Sequence, residues 1–220
     1  MTRHILFDLD GTVVDTAPDL ALALNLLREE SGQLPIDLDR IRPVVSLGAT
    51  AMLKLAFTVA EQEPEFGRLR HRFLELYSKN IHRDSRLFPG ISTVLDYLDE
   101  NNMSWGIVTN KPDWLTRSLL NALALTHRCK CIVSGDTLPQ RKPSPAPLLY
   151  ACDLMSCRPA QTTYIGDALT DIQAGTSAGM TTGIARYGYL EHGATPDCWG
   201  ADVIFDEPVE ILAWLQTNPQ

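Results

Sequence analysis

Missing from this 220-residue chain is any apolar run approaching the roughly 18 residues that a membrane-spanning helix needs. Missing too is an excess of positive charge. Nineteen Lys and Arg against 27 Asp and Glu leave a net charge of −8, which argues against nucleic acid or an anionic membrane surface as the main partner. Cysteine is sparse: Cys129, Cys131, Cys152, Cys157 and Cys198 are odd in number, as reduced thiols are. Neither the C-x-C nor the C-x4-C spacing, with no His-x3-His beside it, makes a usual zinc pattern. No basic-then-apolar segment opens the sequence, since Met1-Thr2-Arg3-His4 leads straight into an apolar stretch. A cytoplasmic protein is therefore expected. Repeats and low-complexity tracts are absent as well.

What remains is an ordinary globular composition, with 45% hydrophobic and 21% charged residues, enough to bury a sizeable core. The length suggests one large domain or a core with a small second unit. Apolar strand-like runs at 5–9, 105–109, 131–134, 163–165, 182–185 and 203–205 alternate with helical patterns at 92–101, 112–122, 145–155, 170–178 and 208–215. That alternation predicts a parallel sheet covered by helices. The interval from about residue 16 to 85 breaks it. There the patterns are helical only, at 17–30, 39–44, 50–60 and 65–81, with Leu20, Leu24 and Leu27 at helical spacing. Such a block reads as a small bundle above the carboxyl edge of the sheet, with residues 87–90 as its return hinge.

The chemistry gathers where strands end. Asp8 and Asp10 follow the first apolar run and precede Gly11, which lets the backbone turn. Two carboxylates so close repel, and a cation or a shared proton would offset the charge. Thr109-Asn110-Lys111-Pro112 follows the second run, where a hydroxyl and the N–H groups of a starting helix can cradle an anion. Lys142 stands before Pro143 in rigid backbone, placed to neutralise a phosphate and a carboxylate together. Gly166-Asp167 ends the fourth run, and Asp171 lies one helical turn on; Asp167 suits a hard, oxygen-ligated ion, while Asp171 reads equally well as a support or a helix cap. A carboxylate nucleophile, a carboxylic acid–base, a cation and a lysine are the groups that phosphoryl transfer uses.

These residues resemble the four motifs of the haloacid dehalogenase superfamily phosphatases: Asp8-Leu9-Asp10-Gly11-Thr12, Thr109, Lys142, and Gly166-Asp167 with Asp171, in order over nearly the whole chain. The forms at 109–112 and 142–145 look like the phosphoglycolate phosphatase branch. Residues 46–52, 186–189 and 199–202 look closer still to N-acetylmuramate 6-phosphate phosphatases. The resemblance implies a Rossmann-like α/β core of parallel strands with helices on both faces, at 1–15 and 86–220, carrying an inserted α-helical cap at 16–85. It implies Asp8 as nucleophile and Asp10 as acid and then base. Mg²⁺ would be bound by Asp8, Asp167 and the Asp10 carbonyl, with Asp171 in support. Thr109, Asn110 and Lys142 would bind phosphate, and the loop around Gly48 would read the rest of a small phosphorylated metabolite. Arg40, Arg42 and Lys54 are candidate partners for a second anionic group on that metabolite.

Other readings share parts of this set. A receiver-like or catalytically silent phosphate-binding protein would accept phosphate without turnover, and a dehalogenase would have no use for Asp10 or Mg²⁺. A phosphomutase of the same superfamily would share every core residue. A monomer or a homodimer is compatible with the sequence.

Overall fold

The first strand, β1 (His4–Phe7), is almost wholly buried, and its alternating side chains separate two hydrophobic cores. The computed structural model describes residues 4–217; residues 1–3, read above as the lead into β1, and 218–220, the end of the expected core, lie outside it. A short strand β2 (Val14–Asp15) leads into the helices α1 (Ala17–Glu30), α2 (Leu38–Ile41), α3 (Gly48–Ala56) and α4 (Pro64–Lys79), with a 3₁₀ segment at Arg42–Leu47. The chain returns through β3 (Arg86–Leu87), then α5 (Ile91–Glu100), β4 (Ser104–Val108) and α6 (Asp113–Ala122). It ends with β5 (Ile132–Val133), α7 (Ala146–Met155), β6 (Thr162–Gly166), α8 (Leu169–Ala178), β7 (Thr181–Ala185), β8 (Val203–Phe205) and α9 (Pro208–Thr217).

Six strands form one parallel sheet in the order β5-β4-β1-β6-β7-β8. The chain winds to one side of β1 and then to the other, which opens a crevice at the carboxyl ends beside β1. Ile5 and Phe7 pack into the core lined by α5, α6 and α9, while Leu6 faces Leu148, Ala151 and Cys152 of α7 and Ala174 of α8. The sheet thus has helices on both faces, as the sequence predicts.

The first run is shorter than its apolar pattern, since β1 closes at Phe7. Asp8 still donates its N–H to the Ile165 carbonyl at 2.9 Å, and beyond it the backbone peels away into a turn closed by Gly11 N–H on Val14 O at 3.0 Å. The helical stretch expected at 39–44 divides between Ile41 and Arg42 into α2 and the 3₁₀ segment, one residue before Pro43.

All four early helices lie between β2 and β3, which pair antiparallel. Phe66, Leu69, Phe73, Leu76 and Tyr77 make the buried stripe of α4, and α4 packs along α1 against Leu20, Leu24 and Leu27. Each such leucine or phenylalanine contributes about 1.5–3 kcal/mol by leaving water. Asp19 of α1 is sealed from solvent and accepts hydrogen bonds from the N–H groups of Asp84 (2.8 Å) and Ser85 (2.9 Å) and from the Ser85 hydroxyl (2.6 Å). The outgoing and returning chains are therefore stitched together at the neck. No helix among the described residues is long and apolar enough to cross a membrane.

Candidate active site

Asp8 follows β1, Thr109 follows β4, Lys142 sits on the loop after β5, and Asp167 follows β6. Because these strands are adjacent and parallel, their carboxyl ends deliver the four side chains to one place. Carboxylate oxygens of Asp8, Asp167 and Asp171 come within 4.8 Å of one another, and all three residues are buried. Lys142, also buried, puts its Nζ 2.9 Å from Asp8 Oδ1, 2.7 Å from Asp171 Oδ1 and 2.8 Å from the Tyr164 hydroxyl. Asn110 holds this lysine by its backbone, accepting the Lys142 N–H and donating to the Lys142 carbonyl, both at 3.1 Å.

Each acid is engaged differently. Asp171 has no idle oxygen: Oδ1 takes Lys142 and the Tyr164 hydroxyl, and Oδ2 accepts the Ala168 N–H at 3.0 Å, capping α8. Asp167 accepts the Ser46 hydroxyl at 2.6 Å, the Tyr189 N–H at 2.9 Å and the Thr12 hydroxyl at 3.3 Å. Asp8 Oδ1 is sealed from solvent, and the partner it faces is the Lys142 ammonium, an ion pair at 2.9 Å. The close packing needs glycine nearby. Gly11 has φ +85°, and a Cβ there would stand 2.2 Å from Asp167 Oδ2.

Electrostatics follow from the crowding. Burial first, opposed by Lys142 and reinforced by Asp171, raises the Asp8 carboxyl to about 6. Asp167 is raised well above the usual carboxylate range by burial and then by Asp8 and Asp171. Burial alone would lower the Lys142 ammonium, but Asp171 and Asp8 outweigh it and hold it above the usual lysine value. Counting Asp10 with its partner Lys111, four carboxylates meet two ammonium groups, so two formal negative charges are left over. That surplus and the all-oxygen donor set fit a hard divalent cation.

Asp10 stands apart from the three-carboxylate cluster. Its Oδ1 accepts the Thr16 hydroxyl at 2.6 Å and the Lys111 ammonium at 2.9 Å. A cavity of about 210 Å³ opens over Asp8 and Asp10. Thr109, Asn110 and Lys111 line it from the sheet side, residues 45–50, Gly48 included, from the 3₁₀ segment and the start of α3, and Phe73 and Tyr77 from α4.

The cationic residues of this cavity are Lys111, Arg70 and Arg141. Arg40, Arg42 and Lys54 are not among them. Arg42 forks onto Asp15 at 3.0 and 2.9 Å while lying over the Tyr189 ring, and Lys54 pairs with Glu61. Lys111 carried no assigned role in the sequence. Its signal was nonetheless present, because Lys111-Pro112 has the same lysine-before-proline form that singled out Lys142-Pro143. In the sequence Tyr189 stands out only within the resembling segment 186–189. Its hydroxyl accepts the N–H groups of Thr16 (2.6 Å) and Ala17 (2.9 Å) at the start of α1, and donates to Asp15 at 2.7 Å. No local pattern announces a helix cap supplied from 172 residues away in the chain.

The sequence profile of the haloacid dehalogenase-like hydrolase family matches residues 5–185. A phosphoglycolate phosphatase of Xylella fastidiosa is 41% identical over 206 residues, covering 94% of this chain and 90% of that one. An N-acetylmuramic acid 6-phosphate phosphatase of Pseudomonas aeruginosa is 39% identical, covering 96% and 93%. A crystal structure from Haemophilus somnus, described as a predicted phosphoglycolate phosphatase, superposes with a TM-score of 0.87 at 30% identity over 97% of both chains. A parallel sheet that gathers three carboxylates and a lysine at its carboxyl edge, a profile match across most of the chain and relatives this similar lead to one conclusion: the chain belongs to the haloacid dehalogenase-like hydrolases, and within them to the phosphatases.

Proposed function

We propose that the protein is a Mg²⁺-dependent phosphomonoesterase acting on a small phosphorylated acid, of the phosphoglycolate or phosphosugar-acid class, through an aspartyl-phosphate. The observation that carries this reading is the buried Asp8, which lines the cavity, pairs with Lys142 and lies beside Asp167.

In this reading an Asp8 carboxylate oxygen attacks phosphorus. The bond from phosphorus to the substrate's alcohol oxygen breaks, and Asp10 gives that oxygen its proton. Asp10, now a carboxylate, takes a proton from water; the water oxygen bonds to phosphorus, the bond to Asp8 breaks, and inorganic phosphate leaves. Lys142 steadies Asp8 and the negative phosphoryl oxygens, and Asp171 holds Lys142 in place. Thr109 and Asn110 stand at the rim where those oxygens would lie. A divalent ion held by Asp8, Asp167 and the Asp10 carbonyl would offset charge on the transferring group.

The helical block over the cavity serves as the cap that reads the rest of the substrate. The cavity is smaller than the ~300–1,000 Å³ of drug-sized ligand sites. Arg70 and Arg141 line it with no ion pair among the described residues, which favours a substrate with a second anionic group such as a carboxylate. Phosphate release from 2-phosphoglycolate, N-acetylmuramate 6-phosphate and neutral sugar phosphates, with Mg²⁺ and with a chelator, tests the reading. Release from the acids, lost in chelator, is expected; no release from any ester with Mg²⁺ present refutes it. An isomeric phosphate ester as product would identify a mutase instead.

The acidic cluster also predicts a stability effect. The Asp8 carboxyl, at about 6 in the folded chain against 3.8 for a free aspartate side chain, holds its proton more tightly when folded. Its contribution to stability is therefore present below about pH 4 and is lost as pH rises through about 6. Mg²⁺ competes with that proton. The rise in Tm on adding Mg²⁺ should thus be larger at pH 7.5 than at pH 5, about 5–10 °C for saturation near 100 times Kd. Thermal melts at the two pH values check it, and an equal rise at both contradicts the assignment.

A further inference from the structure

The two oxygens of Asp10 have different surroundings. Oδ1 is anchored twice, by the Thr16 hydroxyl and the Lys111 ammonium, whereas Oδ2 has no hydrogen-bond partner among the described residues and belongs to a side chain that lines the cavity. Lys111 is itself held. Its Nζ donates to the Tyr77 hydroxyl at 2.9 Å and lies 4.4 Å from the centre of the Tyr77 ring. Both residues are buried, and Tyr77 comes from α4, in the helical block, while Lys111 comes from the loop after β4. A chain of contacts thus runs from the block, through an ammonium, to one oxygen of the carboxylate that the proposed reaction uses as acid and base.

We propose that Lys111, held by Tyr77, is a positioning residue that turns Asp10 so that Oδ2 is presented to the leaving-group oxygen, making the proton-transfer step depend on α4 being seated against the sheet. A carboxylate on a freely rotating side chain spends much of its time pointing elsewhere, and proton transfer requires hydrogen-bond reach to the departing oxygen. Fixing one oxygen with two donors leaves the other a single direction. Tyr77 denies Lys111 the alternative of swinging into the cavity, because hydroxyl and ring hold the ammonium from one side. Burial, opposed by Lys111 and reinforced by Asp10, keeps the Tyr77 phenol protonated up to about 12, so the contact persists across the working range. The idea rests on the phosphatase reading and on Asp10 as the acid.

The test compares kcat/KM for 2-phosphoglycolate, whose alkoxide leaves poorly, with that for p-nitrophenyl phosphate, whose phenolate leaves without a proton. With Mg²⁺ present, Lys111→Met should lower the alkyl-to-aryl ratio about 30-fold, a part of the ~10²–10⁴ that general acid catalysis supplies. Lys111→Arg should restore much of it. Tyr77→Phe, which keeps the ring and the packing, should lower the ratio about 10-fold, the lower end of what one hydrogen bond to a charged group supplies. A merely structural role would lower both substrates alike. An unchanged ratio in Lys111→Met and Tyr77→Phe therefore overturns the positioning role while the phosphatase reading stands. If the wild-type protein releases phosphate from none of the esters named above, that reading falls and the positioning role with it.

Discussion

Asp8→Asn should remove turnover, lowering phosphate release by roughly four orders of magnitude or more, the scale seen when a covalent nucleophile is deleted. The amide has the volume of the carboxylate but no anionic oxygen to attack phosphorus. The fold should tolerate the exchange, because Asp8 is buried beside Asp171 and Asp167 and burial already disfavours its charge. A metal-free melt no lower than that of the wild type is expected, since a crowded like charge has been taken away. Steady-state phosphate release and a thermal melt on the same preparation decide the matter. Turnover within tenfold of wild type would mean that Asp8 does not carry the phosphoryl group.

Lys142→Met should damage both fold and activity. The ammonium is nearly solvent-free and serves three neighbours at 2.7–2.9 Å: Asp8, Asp171 and the Tyr164 hydroxyl. Removing one partner from a buried ionic cluster leaves the others uncompensated, which costs about 3–5 kcal/mol. For a chain of this length that is a fall in Tm of roughly 6–20 °C. Methionine matches the length and apolar stem of lysine, so the loss reads charge rather than cavity. Adding Asp171→Asn to Lys142→Met should recover part of the melt, because one of the stranded carboxylates is gone. Activity should stay lost in the double variant, with Asp8 still lacking its cation. A Tm within about 2 °C of wild type for Lys142→Met would show that water or rearrangement satisfies the cluster without the lysine.

The sheet was legible because parallel strands buried on both faces must be continuous apolar runs, and each of the six runs became a strand. The helical block was legible because α1 and α4 carry their leucines and aromatics at helical spacing. The antiparallel pair of β2 and β3 was not, since two residues on each side carry no periodicity. The end of β1 was overrun because Leu9 is as apolar as Phe7, although the chain has already turned toward the cavity there. Among the polar residues, Asp8, Thr109 and Asp167 announced themselves by closing strands, and Lys142 by its place before Pro143. Ser46 and Tyr189 did not, and Lys111 gave only its place before Pro112. Their partners lie far along the chain, as with Ser46 and Asp167 at 121 residues apart. A lone lysine, serine or tyrosine has the same local appearance whether it faces water or a carboxylate. Arg42 shows the converse: a basic residue that looked available is consumed by Asp15.

The pairing of Val14 with Leu87 and of Asp15 with Arg86 has an architectural corollary. Departure and arrival are neighbours on one ladder, so a short hairpin turn could join residue 15 to residue 86 without disturbing any strand of the large sheet. Everything between is, topologically, an appendix to the barest version of the molecule. A lineage could exchange, lengthen or shrink that appendix while the strands that carry the acidic cluster kept their order, and repertoire would then diversify by transplantation rather than by rebuilding the sheet.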